Sequence, residues 1–162
     1  MKKFFTLAIS AIIVLVIAMS GCQADVPKKN DIDIHKLAED MTAVTKMPDM
    51  LNARTGDSGA ESAFAAISDL EYDKIEEFTL YYAADGAAYE LAVVKLESED
   101  DMKHLAKSLN EHIKNRVKQY KYYNPEEVPR AENAVVATNG RYAALIMCDD
   151  TPQVKAVFDG AF

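Results

Sequence analysis

Residues 134–148 read AVVATNGRYAALIMC, two apolar runs on either side of Asn139-Gly140. Asn-Gly favours a type I′ turn, in which both central residues need a positive φ, and it is a strong signal for a two-residue hairpin loop. The flanking runs are rich in residues that favour strands. They predict strands at Ala134–Thr138 and Arg141–Cys148, paired as a hairpin.

A second hairpin and a long helix are predicted upstream of this one. Phe78–Ala83 and Tyr89–Leu96 are aromatic and β-branched runs on either side of the turn signal Asp85-Gly86. Between the two hairpins, apolar residues recur at steps of three and four, which predicts an amphipathic helix from Ser98 to about Tyr122. Its apolar stripe consists of Met102, Leu105, Leu109, Ile113, Val117 and Tyr120.

Shorter elements are predicted around this unit. The apolar spacing from Ile34 to Val44 indicates a first helix, with Asp31 or Asp33 as its N-cap and Pro48 beyond its end. The other predictions are a short helix at Ala60–Ile67, loops at Asn52–Gly59 and around Pro129, and a final helix opened by Thr151-Pro152.

These elements predict an α+β fold. The sheet is expected to be four-stranded and mainly antiparallel, built from the two hairpins, with one long amphipathic helix across one face and helices at the N- and C-terminal ends. The 162 residues are 49% hydrophobic and 27% charged, which suits a globular chain. We predict a single domain over residues 31–162.

The first 30 residues have the pattern of a targeting segment. Lys2 and Lys3 precede an apolar run, 4–18, that is short for a bilayer span, and Ala18-Met-Ser-Gly-Cys22 resembles a bacterial lipobox. We predict a signal peptide at 1–21, cleavage between Gly21 and Cys22, a diacylglycerol on Cys22, and a flexible tether within 22–30. The chain would be exported and anchored to the outer face of the cell membrane. An uncleaved anchor and ordinary secretion are the alternatives.

Charge and cysteine content limit the kinds of partner and of crosslink that we expect. Eighteen Lys and Arg stand against 26 Asp and Glu, a net charge of −8, so nucleic acid is not an expected partner. Lipidation of Cys22 leaves only Cys148, so no internal disulfide can form. Cys148 closes an apolar strand and is predicted to be a buried thiol, with intermolecular pairing or a reactive nucleophile as alternatives.

Several segments together resemble a known family. They are Ala18–Cys22, Asp31–Ile34, Tyr72–Phe78, Tyr122–Glu126 and Asn133–Tyr142. They are similar to the small lipoproteins of clostridia and related Gram-positive bacteria that are catalogued as domain of unknown function 4358. The resemblance covers nearly all of the chain after residue 21. It implies no activity, and the only site residue it carries over is the lipidated Cys22.

No pattern in the sequence indicates catalysis or a resident metal. A nucleophile-elbow motif and a glycine-rich phosphate loop are both missing, so no enzymatic activity is predicted. No helical i, i+4 pair exists among the histidines, which are predicted to lie on the surface: His35, His104 and His112. The acidic run before the long helix lacks the glycine of a calcium loop and is interpreted as helix capping: Glu97, Glu99, Asp100 and Asp101. No cofactor is expected besides the acyl lipid on Cys22.

Two features of the long helix could form a binding surface. Tyr122 and Tyr123 could stack on a sugar or anchor a protein, although covering the helix end and the sheet edge is the favoured interpretation. A basic stripe could meet cell-wall polymer or anionic lipid, whereas a solvated face with Glu99–Lys103 and Glu111–Lys114 pairs is the simpler interpretation. The stripe consists of Lys103, Lys107, Lys114, Lys118 and Lys121.

The sequence thus indicates a location more than an activity. We expect a non-enzymatic, lipid-anchored domain that binds another envelope component, with an envelope protein first and a cell-wall polymer second. A small-molecule or glycan-binding module is the first alternative, and an enzyme is the second. Solute capture for an importer is disfavoured because such proteins usually need two lobes around a cleft. The oligomeric state is not indicated.

Overall fold

The computed structural model describes residues 31–162. The predicted signal peptide at 1–21, its cleavage site at Gly21 and Cys22, and the tether at 22–30 lie outside the described residues. The described part is an antiparallel sheet with helices on both faces, which confirms the α+β class. The sheet has five strands, so the prediction of four was wrong.

The strands follow the order β1-β2-β3-β5-β4, and every neighbouring pair is antiparallel. They are β1 (Met50–Arg54), β2 (Ile75–Ala83), β3 (Glu90–Leu96), β4 (Val135–Asn139) and β5 (Tyr142–Met147). The helices are α1 (Ile34–Ala43), α2 (Ala60–Ala65), α3 (Met102–Tyr123), α4 (Val128–Glu132) and α5 (Thr151–Gly160). Short 3₁₀ helices lie at Tyr72–Lys74, Glu99–Asp101 and Pro125–Glu127.

β1 is the strand that the sequence pattern does not reveal. It overlaps the segment predicted as a loop from Asn52, and it pairs with β2 from Met50↔Ala83 to Arg54↔Thr79. Its five residues alternate only weakly between apolar and polar, and all of them are partly or fully exposed. An edge strand of this kind is held mainly by backbone pairing with a distant segment, and local sequence does not record such pairing.

The segment around Pro129 is helical and not a loop. A 3₁₀ helix leads directly into α4, and Pro129 lies in the first turn of α4. Proline is tolerated there because the amide N–H that it lacks would have no partner within the helix. Both predicted hairpins, the long helix and the two terminal helices are confirmed, with bounds that differ by a few residues.

The sheet separates two apolar cores. On one face, α2, α3 and α4 cover a cluster that includes Phe64, Phe78 and Leu109. On the other face, α1 and α5 cover a cluster that includes Met41 and Phe158. The two central strands, β3 and β5, are buried along their whole length. Among residues 31–162, no helix combines the length and the apolar character needed to span a bilayer.

The N-cap of α1 is Asp33, one of the two candidates. Its Oδ1 accepts hydrogen bonds of 3.0 Å from the backbone N–H groups of His35 and Lys36. Asp33→Ala is expected to lower the free energy of unfolding by about 1 kcal/mol, because these amides lose their acceptor. Urea unfolding would measure this change, with the exposed Glu39→Ala as the matched control. Equal effects of the two substitutions would contradict the capping role.

Candidate functional site

An open groove crosses the sheet face between α2 and α3. Its larger part, about 660 Å³, lies over β1 and β2. A second part of about 510 Å³ continues along α3 towards the 67–69 turn. The two parts share Ala66, Ile67, His112 and Asn115 in their walls, so they form one continuous depression.

The two long walls of the larger part differ in chemistry. Leu51, Leu80 and Tyr82 form an apolar wall on the sheet. Leu51 and Tyr82 are cross-strand partners, and they are 48% and 37% exposed. The α3 wall is polar and is formed by Asn115, Arg116 and Gln119 together with His112. A ligand in this groove would therefore contact apolar surface on one side and hydrogen-bonding groups on the other.

A buried carboxylate lies at the floor of the groove. Glu90, the first residue of β3, is only 6% exposed. Its Oε2 lies 2.5 Å from Nε2 of His112, and its Oε1 lies 2.6 Å from Nε of Arg116. The Arg116 Nε–H is not aligned with a hydrogen-bond acceptor, so this contact is an ion pair without a linear hydrogen bond. A charge buried this deeply needs such partners, because desolvation without compensation is costly.

The cluster continues along α3 and is held rigidly. Arg116 donates from one terminal nitrogen to Oε1 of Gln119 at 3.1 Å and from the other to the hydroxyl of Tyr120. The guanidinium carbon lies 4.7 Å from the centre of the Tyr120 ring, and the Tyr120 hydroxyl donates to the carbonyl of Gly86 at 3.0 Å. Burial raises the pKa of Tyr120 above its ordinary value, so this hydroxyl keeps its proton at neutral pH.

The groove lies inside the region that a family model recognises. The model described as "Domain of unknown function (DUF4358)" matches residues 51–148. The chain belongs to this family. The match starts in β1, ends one residue after β5, and contains the whole Glu90 cluster. Helices α1 and α5 of this DUF4358 member lie outside the match. Comparisons with curated proteins and with solved structures give no match.

The histidines of this DUF4358 member are only partly where the sequence predicts them. His104 is on the surface, 3.1 Å from Oδ1 of Asp69, and His35 is partly exposed, 3.0 Å from Oε1 of Glu77. His112 was predicted on the surface, and this is wrong, because its side chain is 13% exposed and paired with Glu90. Across the described residues, no three His, Cys, Asp or Glu side chains come together as a metal site.

The predicted lysine stripe lies on the exposed face of α3, with all five side chains in solvent. Lys114 pairs with Glu111 at 2.8 Å as predicted, and Lys121 lies 3.4 Å from Glu132. The expected Glu99–Lys103 pair does not form in the described part of the chain. The lysines are Lys103, Lys107, Lys114, Lys118 and Lys121.

The tyrosines at the end of α3 do not cover the sheet edge. Tyr122 and Tyr123 are 85% and 88% exposed, so the prediction that they cover the helix end was wrong. Neither ring reaches the core clusters, whereas Tyr120 is buried as predicted. The two exposed rings are available to a partner.

Two further predictions concern polar and sulfur groups. Cys148 is 1% exposed, and burial raises the pKa of its thiol, so it is a structural residue as predicted. The acidic residues Glu99, Asp100 and Asp101 form the 3₁₀ turn that leads into α3, where a negative charge is favourable. The hydroxyl of Ser98 caps this turn by accepting the N–H of Asp100 at 3.2 Å. Asp101 is the N-cap of α3, but its side chain forms no capping hydrogen bond among the described residues, so only the electrostatic part of the predicted capping is present.

The Glu90 cluster is not predicted from the sequence, although the sequence contains a signal for it. His112, Arg116 and Tyr120 recur at i, i+4 and i+8, so they share one face of α3. Glu90 is a charged residue in an otherwise apolar buried strand. Each feature is unremarkable alone, and only their contact across 22 residues of chain turns them into a site.

The described chain starts at the end of the sheet opposite Tyr122 and Tyr123. Asp31 lies 2.5 Å from Nζ of Lys95 near the end of β3, and Lys95 also contacts Oε1 of Glu76 at 2.6 Å. Helix α3 starts after β3 and returns to the Gly86 turn over about 33 Å. The entry point of the chain and the exposed tyrosines are therefore at opposite ends of the described structure.

The contacts of Lys95 make the free energy of unfolding decrease as the solution becomes acidic. Its hydrogen bond lowers the pKa of Glu76 below the ordinary value, and Arg141 adds to the effect. A carboxylate with a lowered folded-state pKa stabilises the fold above its unfolded pKa and loses this contribution as pH falls through the folded value. The free energy of unfolding of the wild type should therefore decrease once the pH is lower than about 4.3. We expect Lys95→Met to make this fall shallower in urea titrations from pH 7 to 3. The exposed Lys46→Met is the control, and identical slopes for all three proteins would contradict the prediction.

Proposed function

We propose that this family member is a lipid-anchored extracytoplasmic binding domain and that the groove between α2 and α3 is its recognition site. In this proposal, Cys22 carries a covalently attached diacylglycerol in the outer face of the membrane, and a short tether connects it to the domain. The observation that carries the binding role is the groove itself, with the compensated Glu90 cluster at its floor. Rigid polar groups beside an apolar wall are typical of ligand sites.

The size of the groove favours a small ligand over a protein surface. Ligand pockets usually have volumes of about 300–1,000 Å³, and the larger part of the groove falls within this range. A ligand of this size would occupy the space between Tyr82 and Gln119. Of the occupants considered from the sequence, a glycan or other small molecule fits this space best.

The chemistry of the groove favours a neutral ligand rich in hydrogen-bonding groups. Glu90 is matched by His112 and Arg116, and the terminal nitrogens of Arg116 donate to Gln119 and Tyr120. The amides of Asn115 and Gln119 still offer donors on the α3 wall. Opposite them, the Tyr82 ring can stack on the apolar face of a sugar. A cell-wall glycan has this combination of apolar faces and neutral polar groups.

Titration with defined glycans tests the proposal. Chitotetraose and lysozyme-released peptidoglycan fragments serve as probes, and affinity is measured by calorimetry and by amide chemical shifts. We expect binding, and we expect Asn115→Ala combined with Gln119→Ala to weaken it by about tenfold or more, because two hydrogen bonds are lost. Asn110→Ala is the matched control, since this exposed amide lies on α3 and bonds to its own helix.

The aromatic wall provides a second variant. Tyr82→Ala should also weaken glycan binding, whereas Tyr123→Ala removes a more exposed ring outside the groove and should not. Absence of binding to both probes, or equal losses in the variants and their controls, would overturn the glycan assignment.

A second candidate ligand is an anionic wall polymer on the exposed face of α3. Among the described residues, Lys103, Lys107 and Lys118 form no salt bridge, so their charges face solvent. Tyr122 and Tyr123 extend this surface at the end furthest from the chain entry. Clustered lysines attract polyanions through long-range electrostatics.

Co-sedimentation with purified cell wall tests this second surface. Tyr122→Ala combined with Tyr123→Ala should lower the bound fraction several-fold and leave the melting temperature unchanged, because both rings are almost fully exposed. Replacing Lys103, Lys107 and Lys118 by Gln should lower binding and its dependence on salt. Unchanged sedimentation in both variants would exclude the polymer candidate.

Crosslinking in cells separates these ligands from a protein partner. The wild-type lipoprotein and a Cys22→Ala form are crosslinked and analysed by mass spectrometry. Glycan adducts at groove residues would support the proposal. A single envelope protein that is captured only by the lipidated form would favour the protein-binding alternative instead.

A further inference from the structure

The β1 edge of the sheet offers backbone groups that no other residue in 31–162 uses. Thr55 N–H donates to the carbonyl of Phe78, and the carbonyl of Asp49 accepts from Ala84 N–H, so the odd-numbered residues face β2. In an antiparallel ladder the backbone N–H and C=O groups of the even-numbered residues then point away from β2. The N–H and C=O of Arg54 are occupied by the turn at Asp57. Within residues 31–162, this leaves the N–H and C=O groups of Met50 and Asn52 without a hydrogen-bond partner.

We propose that β1 pairs with β1 of a second copy of this chain, antiparallel and centred on Leu51. In this register Met50 lies opposite Asn52 of the other copy, and the four free groups of each strand form four hydrogen bonds across the interface. A register centred on Asn52 would need the Arg54 groups that the Asp57 turn already occupies. The two sheets would join into one of ten strands.

Side chains at this edge suit such a pairing. Leu51 would lie directly opposite its counterpart, and this would cover a leucine that is 48% exposed in the single chain. Tyr82, 37% exposed on the neighbouring strand, would flank the contact in each copy. Asp49 precedes the strand and Arg54 ends it, so antiparallel pairing brings the acidic end of one strand towards the basic end of the other.

The opposite edge of the sheet is less open. Helices α3 and α5 contact β4 from its two faces, whereas the main helix contact of β1 within residues 31–162 is with the short α2. β1 also lacks the proline, the internal lysine and the bulge with which proteins usually protect an edge strand. The two-fold axis would be perpendicular to the sheet, so the Asp31 ends of both copies would lie on the same face and could reach one membrane. The apposed Leu51 side chains would also complete the open side of each groove.

Disulfide trapping of the full-length lipoprotein in its membrane tests the pairing and its register. A single Leu51→Cys variant should give a covalent dimer under mild oxidation, because the Cα atoms of such a pair lie about 4.5 Å apart, within the range of a disulfide. Asn52→Cys, also at an exposed position, should give a several-fold smaller dimer fraction, and Thr138→Cys on β4 should give little. The buried Cys148 is common to all variants.

A second measurement does not depend on cysteine chemistry. Leu51→Glu would place two carboxylates directly opposite each other, and Leu51 is exposed enough for the single chain to fold unchanged. The detergent-solubilised wild-type lipoprotein should sediment as a dimer at high concentration and the variant as a monomer. Equal trapping at residues 51, 52 and 138, or a monomeric wild type with no trapping, would overturn the pairing. Trapping and sedimentation report the association of two copies in the absence of glycan, so a failure of the pairing is distinguished from a failure of glycan binding by wild-type protein.

Discussion

Glu90→Ala is expected to lower the free energy of unfolding by about 3–5 kcal/mol. The substitution leaves His112 and Arg116, whose side chains are 13% and 24% exposed, without the carboxylate that both of them contact. Removing one partner of a buried ion pair costs more than the pair itself contributes, because the remaining charge is desolvated and unpaired. Urea unfolding followed by circular dichroism would measure the change.

A double-mutant cycle separates this effect from the loss of packing. Arg116→Met removes the cation and keeps an apolar side chain of similar length. The double variant should lose less stability than the sum of the two single variants, with a coupling of about 1–3 kcal/mol. Glu126→Ala, an exposed glutamate beyond the end of α3, should change stability by less than about 0.5 kcal/mol. Additive effects within about 0.5 kcal/mol would show that the cluster is not energetically coupled.

Phe78→Ala should be similarly disruptive, with a loss of about 3–5 kcal/mol. Phe78 is fully buried on β2, where its ring centre lies 5.5 Å from that of Phe64 and 6.2 Å from that of Tyr72. Truncation removes apolar burial and leaves a cavity between α2 and the sheet, which also supports one wall of the groove.

Its control is a matched aromatic truncation. Tyr122→Ala removes a ring that is 85% exposed and should change stability by about 0.5 kcal/mol or less. The midpoints and slopes of urea unfolding for both variants would be compared with those of the wild type. A loss below about 1 kcal/mol for Phe78→Ala would mean that α2 moves to fill the cavity.

The sequence predicts the structural role of Phe78 but not that of Glu90. Phe78 opens a run of aromatic and β-branched residues, which by itself predicts a strand. Glu90 follows Tyr89 at the start of an equally clear strand, yet its charge gives no indication of which face it occupies or what it meets. The difference is that an apolar residue needs only burial, whereas a buried charge needs particular partners.

The groove likewise could not be predicted from the sequence, because it depends on how α3 and β1 lie relative to each other. The hydrophobic period of α3 predicts that Leu105, Leu109 and Ile113 are buried, and they are. The same period places His112 and Arg116 beside the buried stripe, where a helix meets both solvent and sheet. Whether this boundary forms a groove depends on β1, a strand that the local pattern does not reveal.

What the amino-acid sequence determined by itself is the α+β class, two hairpins, the long helix, the acidic turn before it and the burial of Cys148. Each depends on short-range chemistry: a turn dipeptide, a repeat of three and four residues, or an apolar run. The tertiary structure alone decided the fifth strand, the Glu90–His112–Arg116 cluster, the exposure of Tyr122 and Tyr123, and the groove. These features join residues far apart in the chain, and their stabilisation comes from contacts that no local window of sequence contains.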